Sequence, residues 1–228
     1  MVIKKITDSV KLISSGGSEC NMYVINNELL IDAGTGFHPK ILVLELHELD
    51  LFLEDIKRII LTHAHFDHVG GAHLFKAAKL GAHRTEAEII ENGDSDASLA
   101  VLFSATLKKK NVDFKLDDGD VIKSGDILRS GSPQKLSSEA GMIKLKVIHT
   151  PGHTKGSICL YDEKNKILFS GDTVFASGFG RLDFPGGNSR EMKQTLEKLS
   201  KLDIEKILPG HGAIVWGSGN EVIKKLLR

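Results

Sequence analysis

Short, mainly apolar runs separated by Ser, Gly and Asn residues occupy the beginning of the chain. Such runs predict strands, and Asn26-Asn27 between two of them predicts a hairpin turn. A meander of this kind forms one sheet. The strands are predicted at residues 2–6, 10–13, 22–25 and 29–31.

The rest of the chain mixes helical and strand-like spacing. Apolar positions at helical spacing predict helices, and Asn92-Gly93 is expected to end one of them. The Ser-rich residues 131–140 predict a surface loop. Helices are predicted at residues 40–53, 86–91, 98–110, 190–202 and 220–228, and strands at residues 58–61, 80–84, 143–148, 167–169 and 204–208.

The run at residues 58–61 leads into Thr62-His63-Ala64-His65-Phe66-Asp67-His68, which is followed by Gly70-Gly71. Neutral imidazole and carboxylate are the ligands that a borderline ion such as zinc prefers. His63 and His65 can reach the same side of a tightly turned backbone, whereas Asp67 and His68 diverge towards a second ion. The sequence therefore predicts a metal site in a loop between a strand and a helix.

Three later strands also end in a metal-binding residue type beside a glycine, namely His153, Asp172 and His211. Glycine permits the tight turn that each end needs, and we expect the ends to converge on the histidine loop. Two cations need an anionic bridge, and Asp172 is the carboxylate expected to supply it. Asp32 either caps a turn after its strand or accepts a hydrogen bond from a ligand imidazole, and both readings stay open.

Composition and charge narrow the function further. The 228 residues suit one domain or two small ones, and thirty basic residues balance thirty acidic residues. Bulk charge therefore gives no reason to expect a nucleic-acid or membrane partner. Two cysteines form no disulfide framework, and no apolar run approaches membrane-spanning length. We expect a soluble cytoplasmic protein that acts on a small molecule, with its oligomeric state left open.

The candidate ligands, together with the turn at Asp32, resemble those of the metallo-β-lactamase superfamily. The resemblance implies an α+β fold, a four-layer αββα sandwich that forms a single domain over residues 1–228. It also implies two metal ions at the mouth between the sheets. Carried over by matching positions, the first ion would be held by His63, His65 and His153. The second ion would be held by Asp67, His68 and His211, and Asp172 would bridge the two ions.

Residues 171–173 and 180–188 are similar to the glyoxalase II-like hydrolases of that superfamily. Glyoxalase II itself carries a helical C-terminal domain that helps to bind glutathione, and few residues follow His211 here. We therefore expect a broader thioesterase rather than a dedicated lactoylglutathione hydrolase.

The resemblance implies a dinuclear metal-dependent hydrolase, and thioesters are the expected substrates. A metal-bridging hydroxide would attack the carbonyl, and Asp67 would be the catalytic residue that orients the nucleophile. The two divalent ions are expected to be zinc, with iron or manganese as alternatives. A mononuclear iron persulfide dioxygenase and a lactonase stay open as other activities, whereas neutral net charge disfavours a nuclease.

Overall fold

The computed structural model describes residues 2–14, 16–123, 126–128 and 143–228. The chain folds as two compact units, Met1–Lys115 and Leu116–Arg228. The predicted loop at residues 131–140 lies outside the described residues. A single domain over the whole chain stays a prediction.

The first unit is built on a seven-stranded sheet whose strands follow one another in chain order. Its strands are β1 (Val2–Lys5), β2 (Val10–Ser14), β3 (Met22–Ile25), β4 (Leu29–Ile31), β5 (Arg58–Ile60), β6 (Lys79–His83) and β7 (Phe114–Leu116). β1 to β4 form an antiparallel meander, and β4, β5 and β6 are parallel. β5 is buried along its whole length, as expected of a parallel strand inside a sheet.

The helices of the first unit are short. They are α1 (Pro39–His47), α2 (Phe66–Val69) and α3 (Arg84–Asn92). Gly93 ends α3 in the left-handed conformation, with φ of 65°, which glycine adopts at no steric cost. Three 3₁₀ turns accompany these helices, at Leu53–Asp55, Gly70–Leu74 and Ala100–Phe103.

The second unit holds a six-stranded sheet and two helices among its described residues. Its elements are β8 (Val121–Lys123), β9 (Asp126–Leu128), β10 (Lys144–His149), β11 (Ile158–Asp162), β12 (Ile167–Gly171), α4 (Ser189–Leu199), β13 (Lys206–Pro209) and α5 (Gly219–Leu226). The strand order is β13-β12-β11-β10-β8-β9, with only the β12–β13 pair parallel among the pairs described. The apolar stripe of α4, Met192, Leu196 and Leu199, is buried as predicted.

The opening meander confirms the sequence prediction closely. Asn26 and Asn27 lie in the three-residue connection between β3 and β4 and have φ of 48° and 62°, a left-handed backbone that Asn tolerates in turns. Two sheets combined with five helices in the described residues confirm the α+β class.

The predicted helix at residues 98–110 is wrong. The structure has only the 3₁₀ turn Ala100–Phe103 there, because Leu99 and Ser104 take left-handed backbone angles, with φ of 60° and 52°. The carbonyl of Ser98 accepts a hydrogen bond from the Phe66 amide at 2.8 Å, a tertiary contact that replaces a helical one. Local spacing gives no sign of such a partner.

Two further boundaries differ from the prediction. The helix expected at residues 40–53 ends at His47, and Asp50 beyond it has φ of 57°. The histidine stretch was expected to lie wholly in a loop, but α2 begins at Phe66 inside it. Asp67 and His68 therefore lie in the first turn of a helix, which fixes the direction in which each side chain leaves the backbone.

Candidate metal centre

In the first unit, β5 delivers the chain to a turn that holds three buried imidazoles. His63, His65 and His68 are almost fully buried, and Asp67 is partly exposed. The ring centroid of His63 lies 4.7 Å from that of His65 and 4.1 Å from that of His68. The Nε2 atom of His68 lies 3.9 Å from Oδ2 of Asp67. The four predicted ligands of this stretch are thus near one another.

Asp32 lies beneath this turn with its carboxylate buried. Oδ2 is 2.9 Å from Nδ1 of His68 and accepts from the Thr62 hydroxyl, while Oδ1 accepts from the Thr62 amide at 2.8 Å. Its backbone is left-handed, with φ of 57°, so Asp32 both forms the turn and faces an imidazole. A carboxylate that accepts from Nδ1–H fixes the tautomer of the ring and directs Nε2 away from the carboxylate.

Two residues that support the histidine turn were missed by the sequence reasoning. The buried carboxylate of Glu86 accepts from the Ala64 amide at 2.8 Å, between His63 and His65. Thr62 also places its hydroxyl oxygen 3.1 Å from Nδ1 of His63. Thr62 could have been recognised from its position beside the histidines, but Glu86 is 22 residues from its partner and carries no local signal.

Cys20 is a further neighbour that the sequence did not indicate. Its sulfur, a carboxylate oxygen of Asp32 and a ring nitrogen of His68 lie within 4.8 Å of one another. Burial raises the pKa of the Cys20 thiol to about 12.

In the second unit, the strand ends bring His153, Asp172 and His211 together. Oδ2 of Asp172 is 3.8 Å from Nε2 of His153 and 3.8 Å from Nε2 of His211. These separations are too long for hydrogen bonds. One carboxylate oxygen therefore faces two imidazoles at equal distance.

A close loop braces His153 and Asp172. Nδ1 of His153 donates to the carbonyl of Arg181 at 2.7 Å, and the Gly180 amide donates to the carbonyl of Asp172 at 2.8 Å. A Cβ atom at Gly180 would stand 2.3 Å from the Asp172 carbonyl oxygen and 2.7 Å from His153 Nδ1. Only glycine fits this approach, which explains a glycine that motif spacing alone left unexplained.

The donor sets within each unit fit a borderline divalent ion. Two ligand atoms bound to one zinc, each at about 2.0–2.2 Å, lie at most about 4.4 Å apart. The three pairs of imidazole and carboxylate atoms described above, at 3.8–3.9 Å, satisfy that limit. His68 and His153 each have Nδ1 engaged with an oxygen, which leaves Nε2 directed towards the facing carboxylate.

Comparison with known families identifies the class of protein. The Lactamase_B family model, described as the metallo-beta-lactamase superfamily, matches residues 15–211. The match includes both sets of candidate ligands. The chain belongs to the metallo-β-lactamase superfamily.

Three curated relatives are similar over most of the chain. A probable metallo-hydrolase MJ0888 of Methanocaldococcus jannaschii is 32% identical over 87% of this chain and 90% of its own. The hydroxyacylglutathione hydrolase GloC of Haemophilus influenzae is 30% identical over 82% and 81% of the two chains. The human acyl-coenzyme A thioesterase MBLAC2 is 29% identical over 86% and 74%.

Solved structures confirm the metallo-β-lactamase fold. BLEG-1, a B3 metallo-beta-lactamase, superposes with a TM-score of 0.72 at 27% identity, covering 93% of this chain and 95% of its own. TTHA1623, solved in a di-iron-bound form, gives a TM-score of 0.68 at 28% identity, covering 92% and 96%. Among the described residues, every helix is too short or too polar to cross a bilayer.

Proposed function

We propose that the chain is a dinuclear metal-dependent thioesterase. The chain is a metallo-hydrolase of the metallo-β-lactamase superfamily, similar to a thioesterase and to a hydroxyacylglutathione hydrolase. We propose two ions per chain, zinc with iron or manganese as alternatives, and a thioester as the substrate. The cytoplasmic location and the exclusion of nucleic acid stay predictions.

One observation carries the dinuclear proposal. Oδ2 of Asp172 faces His153 and His211 at the same distance of 3.8 Å, and these histidines are expected to bind different ions. A carboxylate shared by two cations must face ligands of both. We propose that His63, His65 and His153 hold one ion and that Asp67, His68 and His211 hold the other. The family match, which includes all seven ligands, supports treating them as one centre.

The bound ions would supply an acidified water and would polarise the carbonyl of the substrate. The protein's own residues have three roles in the proposed reaction. Asp67 orients the attacking water and takes its proton, since its carboxylate is partly exposed at the start of α2. Asp32 holds the His68 ring in one tautomer, and the carbonyl of Arg181 does the same for His153.

A thioester suits this set of groups better than an oxygen ester or an amide. A thiolate leaves readily, so hydrolysis needs no strong general acid. Two of the relatives carry names of thioester hydrolases, acting on acyl-coenzyme A and hydroxyacylglutathione. We propose that this chain acts on the same bond.

Elemental analysis followed by a substrate panel tests the proposal. The protein would be purified without added metal and its zinc, iron and manganese content determined per chain. We expect close to two ions per chain, either zinc or, as in the TTHA1623 structure, iron. Thioesters of coenzyme A, glutathione and N-acetylcysteamine would then be compared with lactones of similar size.

The other activities give different results in the same assays. One iron per chain with oxygen consumption on a glutathione persulfide would replace the hydrolase with a dioxygenase. Two ions per chain with turnover confined to lactones would support the dinuclear metal centre and show that the enzyme is a lactonase rather than a thioesterase. Failure to bind metal after reconstitution would remove the proposal.

A further inference from the structure

A cavity of about 470 Å³ lies within the first unit, between the β2–β3 connection and α1. Its volume lies in the range of sites for small organic molecules, about 300–1,000 Å³. Most of its side-chain surface is apolar. The apolar lining residues are Met22, Ala33, Phe37, Ile41, Leu42 and Phe103.

The cavity wall is in contact with the candidate metal ligands. The ring of Phe66, which lies between His65 and Asp67 in the chain, is 5.4 Å from the rings of both Phe37 and Phe103. The Ala33 amide donates to the carbonyl of His68 at 2.8 Å. Residues that bound the cavity therefore also support the histidine turn.

The ionisable groups of the lining are two carboxylates and one imidazole. They belong to Glu19, Glu45 and His38, and the described lining includes neither Lys nor Arg. Glu19 is tied into the wall, because its carboxylate accepts from the amide and the hydroxyl of Thr35. An anionic group such as a phosphate or the carboxylates of glutathione would meet neither Lys nor Arg in the described lining, whereas a neutral hydrocarbon chain would bury apolar surface.

We propose that this cavity binds the acyl group of the substrate and that the preferred acyl group is a neutral, unbranched hydrocarbon chain. The inference rests on the proposed thioesterase function and adds its substrate class. Phe37 and Ile41, which are 48% and 42% exposed, are the large apolar side chains of the lining that solvent reaches most. The thiol part of the substrate stays outside the cavity, away from Glu19 and Glu45.

Binding of two thioethers tests the inference without any need for turnover. S-butyl- and S-octyl-N-acetylcysteamine differ by four methylenes and cannot be hydrolysed as thioesters. Each buried methylene strengthens binding about fourfold, so the octyl compound should bind to the metal-loaded protein about 200-fold more tightly. Isothermal titration calorimetry on the whole chain would measure both affinities.

Ile41→Asp places a carboxylate in the apolar wall at a position where the fold tolerates a polar side chain. We expect the octyl preference to fall at least tenfold in this variant. Leu44→Asp, on the same helix, 60% exposed and outside the cavity lining, is the matched control and should keep the preference. Ile41→Trp, which fills space without charge, should also reduce octyl binding.

Three results would overturn the acyl-cavity inference: equal affinity for the two thioethers, full octyl preference in Ile41→Asp, or equal losses in Ile41→Asp and Leu44→Asp. Turnover of butyryl and decanoyl thioesters separates this inference from the proposed function. Chain-length-dependent binding without thioester hydrolysis would reject the thioesterase and retain the cavity. Thioester hydrolysis with no dependence on chain length would retain the thioesterase and reject the acyl cavity.

Discussion

At the residue scale, the carboxylate of Asp32 combines two tasks in one buried position. It closes the turn after β4 by accepting from Thr62, and it accepts from Nδ1 of His68. The first task is a matter of backbone geometry, and Asn could perform it because Asn also tolerates a left-handed backbone. The second needs a negative charge facing the imidazole, so the two tasks can be separated by substitution.

Asp32→Asn should therefore weaken metal binding more than it weakens the fold. Loss of such a supporting contact typically lowers metal affinity about 10- to 100-fold. Competition with a chromophoric chelator would measure the affinity, and thermal unfolding would show that the variant is folded. Asp8→Asn, which changes an exposed carboxylate paired with Lys5, is the control. Unchanged affinity in Asp32→Asn would reduce Asp32 to a turn residue.

Asp67 is expected to act on both metal and water. Asp67→Ala should lose the second ion and reduce kcat by at least about 100-fold, the lower end of the contribution of a general base. Metal content per chain and turnover of a thioester would be measured on the same preparation. Asp96→Ala, at an exposed carboxylate of the same unit, should change neither quantity. A fully active Asp67→Ala protein would show that another group orients the water.

At the scale of elements, the loop after β12 has to pass directly over His153 and the Asp172 backbone. Gly180→Ala should push this loop outwards, because the new Cβ would stand 2.3 Å from the Asp172 carbonyl oxygen. We expect at least a tenfold loss of kcat/KM. Gly178→Ala is a closely matched control, since a Cβ there would have no heavy atom within 4 Å. Similar activity in the two variants would mean that the loop does not position His153.

The extent to which sequence predicts this structure differs between kinds of element. The meander was predictable because short apolar runs and the Asn26-Asn27 turn are local signals. The absent helix at residues 98–110 was not, because its backbone is bent by left-handed residues and by a contact of the Ser98 carbonyl with Phe66. Tertiary partners of that kind override helix propensity and leave no trace in local spacing.

In the candidate metal centre, too, local sequence signals predicted some residues, whereas others depend on tertiary contacts. Its ligands could be proposed because histidines and carboxylates stand at strand ends, and residue type carries that information. The residues that hold the ligands in place could be predicted only in part. The sequence left open whether Asp32 caps a turn or accepts a hydrogen bond from a ligand imidazole. Glu86 and the Arg181 carbonyl were missed, because they act through contacts between segments far apart in the chain.

At the scale of the whole molecule, metal binding should contribute directly to the stability of the native state. The candidate ligands extend from His63 to His211 in the chain, so the unfolded protein presents no preformed site. A ligand that binds only the native state at 100 times its dissociation constant adds about 2.7 kcal/mol to the free energy of unfolding. For a chain of this size that corresponds to a rise in Tm of about 5–10 °C.

Differential scanning calorimetry of chelated and zinc-reloaded protein would measure this rise, and titration should show it saturating near two ions per chain. His63→Gln should reduce the rise, because Gln cannot supply an imidazole nitrogen to the ion. His47→Gln removes an exposed histidine whose ring meets that of Phe52 edge to face, and it should leave the rise unchanged. If both variants respond to zinc as the unmodified chain does, the metal stabilises the protein from somewhere other than the histidine turn. The ligand assignment would then have to be rebuilt from the second unit alone.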